Sequence, residues 1–173
     1  SAGKSSLIRA FAGAAASIES DVLGGTTRSV AHYRARLDDV ELVLADVPGT
    51  HEVSGAERET TARDEALRAH VVLYVAAGDL TRDQDAELRW LHGFGKPLVL
   101  VLNKADQLRD DERRALAPAL NARYRELTYA QVVVSAGGTE SVERRGADGR
   151  REVVARERKA EVGPLAALLR GYA

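Results

Sequence analysis

Asn103, Lys104, Ala105 and Asp106 stand directly after an apolar run, Leu98-Val99-Leu100-Val101-Leu102. A carboxylate at Asp106 can accept two hydrogens presented side by side, as the N1 and N2 edge of guanine presents them, whereas adenine has no such donor pair. Asn103 carries both a donor and an acceptor and can tie its loop to a phosphate loop. The methylene stem of Lys104 can lie over the plane of a base. The same tetrapeptide would also serve as a charged surface turn, so its meaning depends on the elements that carry it.

A short, bulky apolar run bounded by Pro97 and a polar turn is the pattern of a central parallel strand buried on both faces. The Asn103–Asp106 loop then leaves the carboxyl end of a core strand, the edge where open α/β sheets bind ligands. Gln131-Val132-Val133-Val134 reads as a second such strand, with Ser135-Ala136-Gly137 at the same edge, and Val71 to Val75 as a third.

The chain opens with Ser1-Ala2-Gly3-Lys4-Ser5-Ser6 and continues into Leu7, Ile8 and Phe11 at helical spacing. This is the latter part of a phosphate loop and its helix. Backbone N–H groups around Gly3 would cradle phosphates with help from the helix dipole. Lys4 would reach the β and γ oxygens, Ser5 would give a hydroxyl to Mg²⁺, and Ser6 would donate its backbone N–H to the α-phosphate. Gly-Lys-Ser alone would read as a tail; its order and spacing relative to the other motifs give it meaning.

The full pattern of Gly, four residues and Gly-Lys-Ser needs a glycine upstream of Ser1, and an apolar strand before that. The expectation is therefore an N-terminally truncated domain, with the strands meant to flank the first strand left exposed.

Between the two ends lie two segments suited to sensing a γ-phosphate. Gly24-Gly25-Thr26-Thr27-Arg28 forms a polar loop ahead of an alternating strand from Ala31 to Leu37, and Asp38-Asp39 turns into an antiparallel partner from Val40 to Ala45. Thr27, in preference to Thr26, could add a second hydroxyl ligand to Mg²⁺. Asp46-Val47-Pro48-Gly49 ends that partner strand; Asp46 can hold Mg²⁺ through water, and the N–H of Gly49 can approach a γ-phosphate because no side chain blocks it.

With these motifs in this order, the chain resembles a translation-factor-class small GTPase domain. The Gly-Thr-Thr-Arg and Asp-Val-Pro-Gly-Thr-His stretches resemble the Era and TrmE-like branch, and the likeness runs from Ser1 to about Ala136. It implies a Ras-like doubly wound α/β fold, with a mostly parallel sheet, helices on both faces and the first strand missing. It also implies GTP and GDP binding with Mg²⁺, slow hydrolysis, and switch loops that respond to the nucleotide. Lys4, Thr27 and Gly49 would take the catalytic roles. Gly3, Lys4, Ser5, Ser6, Asn103, Lys104, Asp106, Ser135 and Ala136 would hold the nucleotide, the N–H of Ala136 donating to O6 of guanine. Ser5, Thr27 and Asp46 would hold the metal. Thr50 stands where Ras-type members place a water-positioning glutamine, and Gly137 replaces a frequent lysine. Ser1 stands where potassium-stimulated TrmE-like members carry asparagine, so the resemblance does not extend to a potassium requirement.

The remaining sequence is mostly scaffold. Glu57 to Ala69 reads as a helix, as does a stretch containing Leu88, Trp90 and Leu91. Asp110 to Glu126 reads as a charged helix that Pro118 kinks or divides. Residues 138–161 are an insertion ahead of a closing helix at Pro164 to Leu169. Within it, Ser141 to Arg145 and Arg151 to Ala155 flank Gly146-Ala147-Asp148-Gly149-Arg150, the pattern of an exposed hairpin. It is either a solvated excursion or a partner-docking element.

At 173 residues and 45% hydrophobic composition the chain makes one domain, residues 1–173. Its 25 basic and 26 acidic residues nearly cancel, which argues against a general polyanion binder. The absence of cysteine rules out a disulfide framework and suits the cytoplasm. No apolar run approaches the roughly 18 residues that span a bilayer, although a peripheral membrane link stays open. The expected function is a GTP-hydrolysing switch with a protein or RNA effector. The alternative is a guanine-nucleotide-binding regulatory module with negligible hydrolysis that acts by partner docking. A third reading is an inactive, poorly folded fragment.

Overall fold

The computed structural model describes residues 2–12, 18–19, 30–47, 55–145 and 151–172. In chain order these form α1 (Lys4–Ala12), β1 (Ile18–Glu19), β2 (Ala31–Leu37), β3 (Val40–Asp46), α2 (Gly55–Arg68), β4 (Val72–Ala76) and α3 (Arg82–His92). There follow β5 (Leu98–Leu102), α4 (Asp110–Tyr124), β6 (Ala130–Val133), β7 (Gly138–Arg145), β8 (Arg151–Arg158) and α5 (Gly163–Arg170). A 3-10 turn at Ala105–Gln107 lies between β5 and α4.

All five residues of β5 are buried, and β4 and β6 pair with it in parallel on either side. Alternation sorts its side chains by type. Leu98, Leu100 and Leu102 pack with Leu88 of α3 and with Leu120 and Tyr124 of α4, while Val99 and Val101 pack with Leu7 of α1 and with Leu165 and Leu169 of α5. Helices therefore cover both faces, and burial of each such aliphatic side chain contributes ~1.5–3 kcal/mol. This is the mixed α/β architecture that the sequence implies.

β2 and β3 form an antiparallel pair joined at Asp38-Asp39, with Asp38 in the left-handed region at φ 54. Arg170 Nε holds that turn from α5, donating to Asp38 Oδ2 at 2.7 Å. β1 adds a third strand beside β2; its two residues are too few to display an alternation in the sequence. The strands divide into sheets ordered β1-β2-β3 and β4-β5-β6, plus a β7-β8 ribbon. Among the described residues no strand joins β3 to β4. Leu37 and Leu42 of the first sheet still pack into the cluster around Val99 and Val101, so the two sheets share a core.

Of the two outcomes expected at Pro118, a kink or a division of the helix, the division does not occur: Pro118 sits inside the single helix α4. Pro118 removes one N–H from the helix ladder, but Leu120 and Tyr124 immediately beyond it are buried and hold the last turns on the core. At the other end, Glu112 accepts from the backbone N–H of Arg109, and three acidic residues occupy the first turn. No described helix is long and apolar enough to cross a membrane.

Candidate functional site

The loop after β5 is fixed from both neighbouring strands. Asn103 N–H donates to the carbonyl of Ala76 at the end of β4 (2.7 Å), and Ala105 N–H donates to that of Val134 just past β6 (3.2 Å). Between these anchors Lys104 adopts φ 60, a left-handed conformation, as the chain turns into the 3-10 segment. Arg113 of α4 closes the turn from below, both its Nε and a terminal nitrogen donating to the carbonyl of Ala105 at 3.2 and 2.6 Å. Nothing in the sequence marks Arg113 for this role.

The side chain of Asn103 is 1% exposed and joins three segments. Its Nδ2 donates to the carbonyl of Ala2 at 3.0 Å, with that of Gly3 at 3.4 Å, and its Oδ1 accepts the N–H of Ala136 at 3.0 Å. The Ala2–Gly3 segment before α1, the loop after β5 and the loop after β6 are thus joined through one amide. Gly3 is required at the first of these contacts. It has φ +79, and a Cβ there would lie 2.8 Å from Asn103 Nδ2 and 3.5 Å from Lys104 Cε. The stem of Lys104 accordingly lies beside Gly3. The Ala136 N–H, which the resemblance gives to O6 of a guanine, is engaged by Asn103 here, so a base would have to share that hydrogen.

Ser5 and Asp46, the described members of the expected metal set, are in contact, with Ser5 Oγ donating to Asp46 Oδ2 at 2.7 Å. α1 begins at Lys4 and carries Ser5 in its first turn, while β3 ends at Asp46. A hydroxyl and a carboxylate together are hard oxygen donors of the kind Mg²⁺ takes. Lys4 opens the helix and is half-buried, and Ser6 is exposed beside Ser5.

Asp106 is met by a residue from the ribbon: Arg158, the last residue of β8, lies 2.6 Å from Asp106 Oδ2. β7 starts immediately after Ser135-Ala136-Gly137, and Ser135 and Glu161 exchange two backbone hydrogen bonds, of 3.1 and 2.8 Å. Ser135 is buried, and its Oγ accepts the N–H of Gly137 at 3.2 Å. The ribbon is longer than its sequence pattern suggests, running from the Gly138–Arg158 pair to the Arg145–Arg151 pair. Thr139, Glu140 and Glu157 at its root lack the alternation that marks a strand.

Of the expected site residues, Gly3, Lys104 and Ala136 come together at the buried amide of Asn103, with Ser135 beside Ala136 in the chain; Ser5 meets Asp46, and Asp106 follows on the same turn as Lys104. Thr27 and Gly49 lie outside the described residues, as do Ser1, Thr26, Thr50, His51 and residues 146–150. Arg113 and Arg158 are additions that the sequence did not flag.

Comparison with known proteins places this geometry in context. The model of the 50S ribosome-binding GTPase family matches residues 1–104. GTPase Der of Bacillus mycoides is 32% identical over 142 residues, which cover 76% of this chain and 32% of Der. GTPase Era of Sinorhizobium medicae is 33% identical over 147 residues, covering 82% of this chain and 47% of Era. The chain thus spans a third to a half of the length of these relatives. Among solved structures, Aquifex aeolicus Era bound to GDP·AlF4⁻ superimposes with a TM-score of 0.62 at 24% identity, covering 78% of this chain and 48% of that one. At that identity the likeness speaks for the fold alone, a Ras-like G domain. The family match over residues 1–104, more than half of the chain, settles membership: this chain belongs to the 50S ribosome-binding GTPase family, on its Era-like side.

Proposed function

We propose that the chain binds GTP and GDP at the edge formed by the loops after β5 and β6 and the start of α1, and hydrolyses GTP to GDP and phosphate. One observation carries the reading: the buried Asn103 amide holds the Ala2–Gly3 backbone and the Ala136 N–H together, with Asp106 on the following turn. That arrangement supports a reading in which the Asp106 carboxylate meets the base while the start of α1 meets the phosphates.

The roles follow from the chemistry of each group. Asp106 accepts from the two guanine donors, and the Lys104 stem covers the base. Backbone N–H groups at the start of α1 and the Lys4 ammonium offset phosphate charge. Ser5 and Asp46 are the described residues that would hold Mg²⁺, with Thr27 as a further ligand; a metal held there would supply positive charge to offset that of the phosphates. Catalysis in this class is positioning and electrostatics around an in-line water. Without a partner, turnover is expected on the order of 10⁻⁴ to 10⁻² per second. The effector would be a protein or RNA, in keeping with the family's description as ribosome-binding.

A second reading, nucleotide binding with negligible hydrolysis, draws on Thr50 at the position of the usual water-positioning glutamine. The test has two parts. Titration with a fluorescent GDP analogue and Mg²⁺, competed by GTP, GDP and ATP, should show displacement by both guanine nucleotides and not by ATP; displacement by ATP would contradict the proposal. Single-turnover hydrolysis of bound GTP then separates an enzyme from a binding module.

A further inference from the structure

Arg158 reaches Asp106 from an element that none of the nucleotide motifs includes. It stands opposite Gly138 at the root of the ribbon, with only 19% of its side chain exposed. Three acceptors surround its guanidinium. One terminal nitrogen lies 2.6 Å from Asp106 Oδ2, and Nε lies 3.4 Å from Glu140 Oε2 on the adjacent strand. With its amide oxygen turned toward Arg158, Gln107 accepts from both terminal nitrogens, at 2.7 and 3.2 Å. A planar fork can serve Asp106 and Gln107 at once, which a single ammonium cannot do with fixed direction.

The backbone beneath Arg158 is fixed as firmly as its side chain. A Cβ on Gly137, at φ +67, would lie 2.5 Å from the Arg158 carbonyl oxygen and 2.8 Å from Ala160 N, so the root of the ribbon rests directly on the loop that follows Ala136. The paired Ser135 and Glu161 backbones close the same contact one step further on. Arg158 is therefore held relative to the Ser135–Ala136 loop, and through its side chain it holds Asp106 relative to that loop as well.

We propose that Arg158 is a positioning residue for base recognition, orienting the Asp106 carboxylate toward the guanine edge. The inference rests on the reading that Asp106 contacts the base. A carboxylate has about four acceptor positions. Arg158 occupies one on Oδ2 and leaves Oδ1 and a second position on Oδ2 for the two guanine donors. Without Arg158, Asp106 would be a partly exposed side chain that must be ordered when the base arrives, and that ordering weakens binding.

The test is a set of equilibrium GDP titrations, run with thermal melts, on the full chain and its variants. Arg158→Ala should weaken GDP binding about tenfold, the scale of one lost charge-assisted hydrogen bond. Arg158→Lys, which keeps the charge and loses the fork, should show a smaller loss, and it preserves the comparison if the alanine variant does not fold. In an Asp106→Ala background, which removes the carboxylate that Arg158 orients, either substitution should change GDP affinity by less than about twofold. Unchanged or tighter GDP binding in the Arg158 single variants would overturn the proposal, tighter binding meaning that Arg158 competes with the base. An equal loss with and without Asp106 would also overturn it, assigning Arg158 to general support of the ribbon. If Asp106→Ala itself leaves GDP affinity unchanged, the base-recognition reading falls and this inference falls with it. A strong Asp106 effect beside a silent Arg158 defeats only the positioning role.

Discussion

Asn103 Nδ2 donates to the carbonyl oxygen of Ala2 at 3.0 Å, across 101 residues of sequence, and the same side chain accepts from Ala136 N–H. Both bonds belong to a fully buried amide, so Asn103→Ala leaves a carbonyl and an N–H without their partner. The expected cost is about 2–4 kcal/mol of stability, together with loss of measurable GDP binding. Gly3→Ala strikes the same junction from the other side, through φ +79 and a Cβ 2.8 Å from Asn103 Nδ2. It should cost ~1–3 kcal/mol. Thermal melts and GDP titrations check both variants.

The Ser5–Asp46 contact predicts a metal dependence. Chelating Mg²⁺ should weaken GTP binding in the unaltered chain. Ser5→Ala, which removes the hydroxyl 2.7 Å from Asp46 Oδ2, should raise the Mg²⁺ concentration needed for half-maximal GTP binding several-fold. Binding that ignores both Mg²⁺ and Ser5 would contradict the assignment.

Gly137 predicts a coupling between ribbon and site. Gly137→Ala would drive a methyl group against backbone atoms of Arg158 and Ala160, which cannot yield as a flexible side chain would. The ribbon root should shift, lowering the melting temperature and weakening GDP binding together. A variant that melts and binds like the parent would show that the root is not packed on this loop.

Tyr124 predicts how stability varies with pH. It is buried against α3, and its hydroxyl donates to Asp85 Oδ1 at 2.8 Å. Burial first, then the hydrogen bond to Asp85, push its phenol from 10.0 up to about 12. The unfolded chain gives up this proton at a lower pH than the folded one. The stabilising contribution is therefore complete below pH 10.0 and lost as pH rises toward about 12. Asp85 behaves in the opposite sense. Hydrogen bonds from Arg89 and then Tyr124 hold its carboxyl below the usual 3.8, so its contribution is complete above that value and lost as pH falls through the folded one. Tyr124→Phe should lower the melting temperature near neutrality and flatten both the alkaline and the acid decline, since Asp85 loses one of the hydrogen bonds that hold its carboxyl down; melts across the pH range would show this.

The parts legible in the sequence are those in which one short segment carries its own signal. The five apolar residues of β5 announced a buried parallel strand, and the polar tetrapeptide behind them had to emerge at its carboxyl edge. Asn103 could be assigned a bridging role because an amide at that position has both a donor and an acceptor to place. Arg158 carried no such signal: its meaning arises only when residues 138–145 pair with 151–158 and return the chain to Ser135. Arg113 likewise looks like one more charge on a charged helix until α4 is set beneath Ala105. The partner of the Ala136 N–H was also out of reach, because it depends on how two parallel loops face each other once β5 and β6 are paired.

The most direct test of the account is base selectivity in Asp106→Asn, measured as GDP and xanthosine diphosphate competing for one fluorescent nucleotide site. The unaltered chain should prefer GDP. The variant should prefer xanthosine diphosphate, because an amide can donate to the 2-oxo group that replaces the 2-amino group of guanine. If the variant keeps the parent's preference for GDP, Asp106 does not read the base and the site assigned to the Asn103–Asp106 loop is wrong.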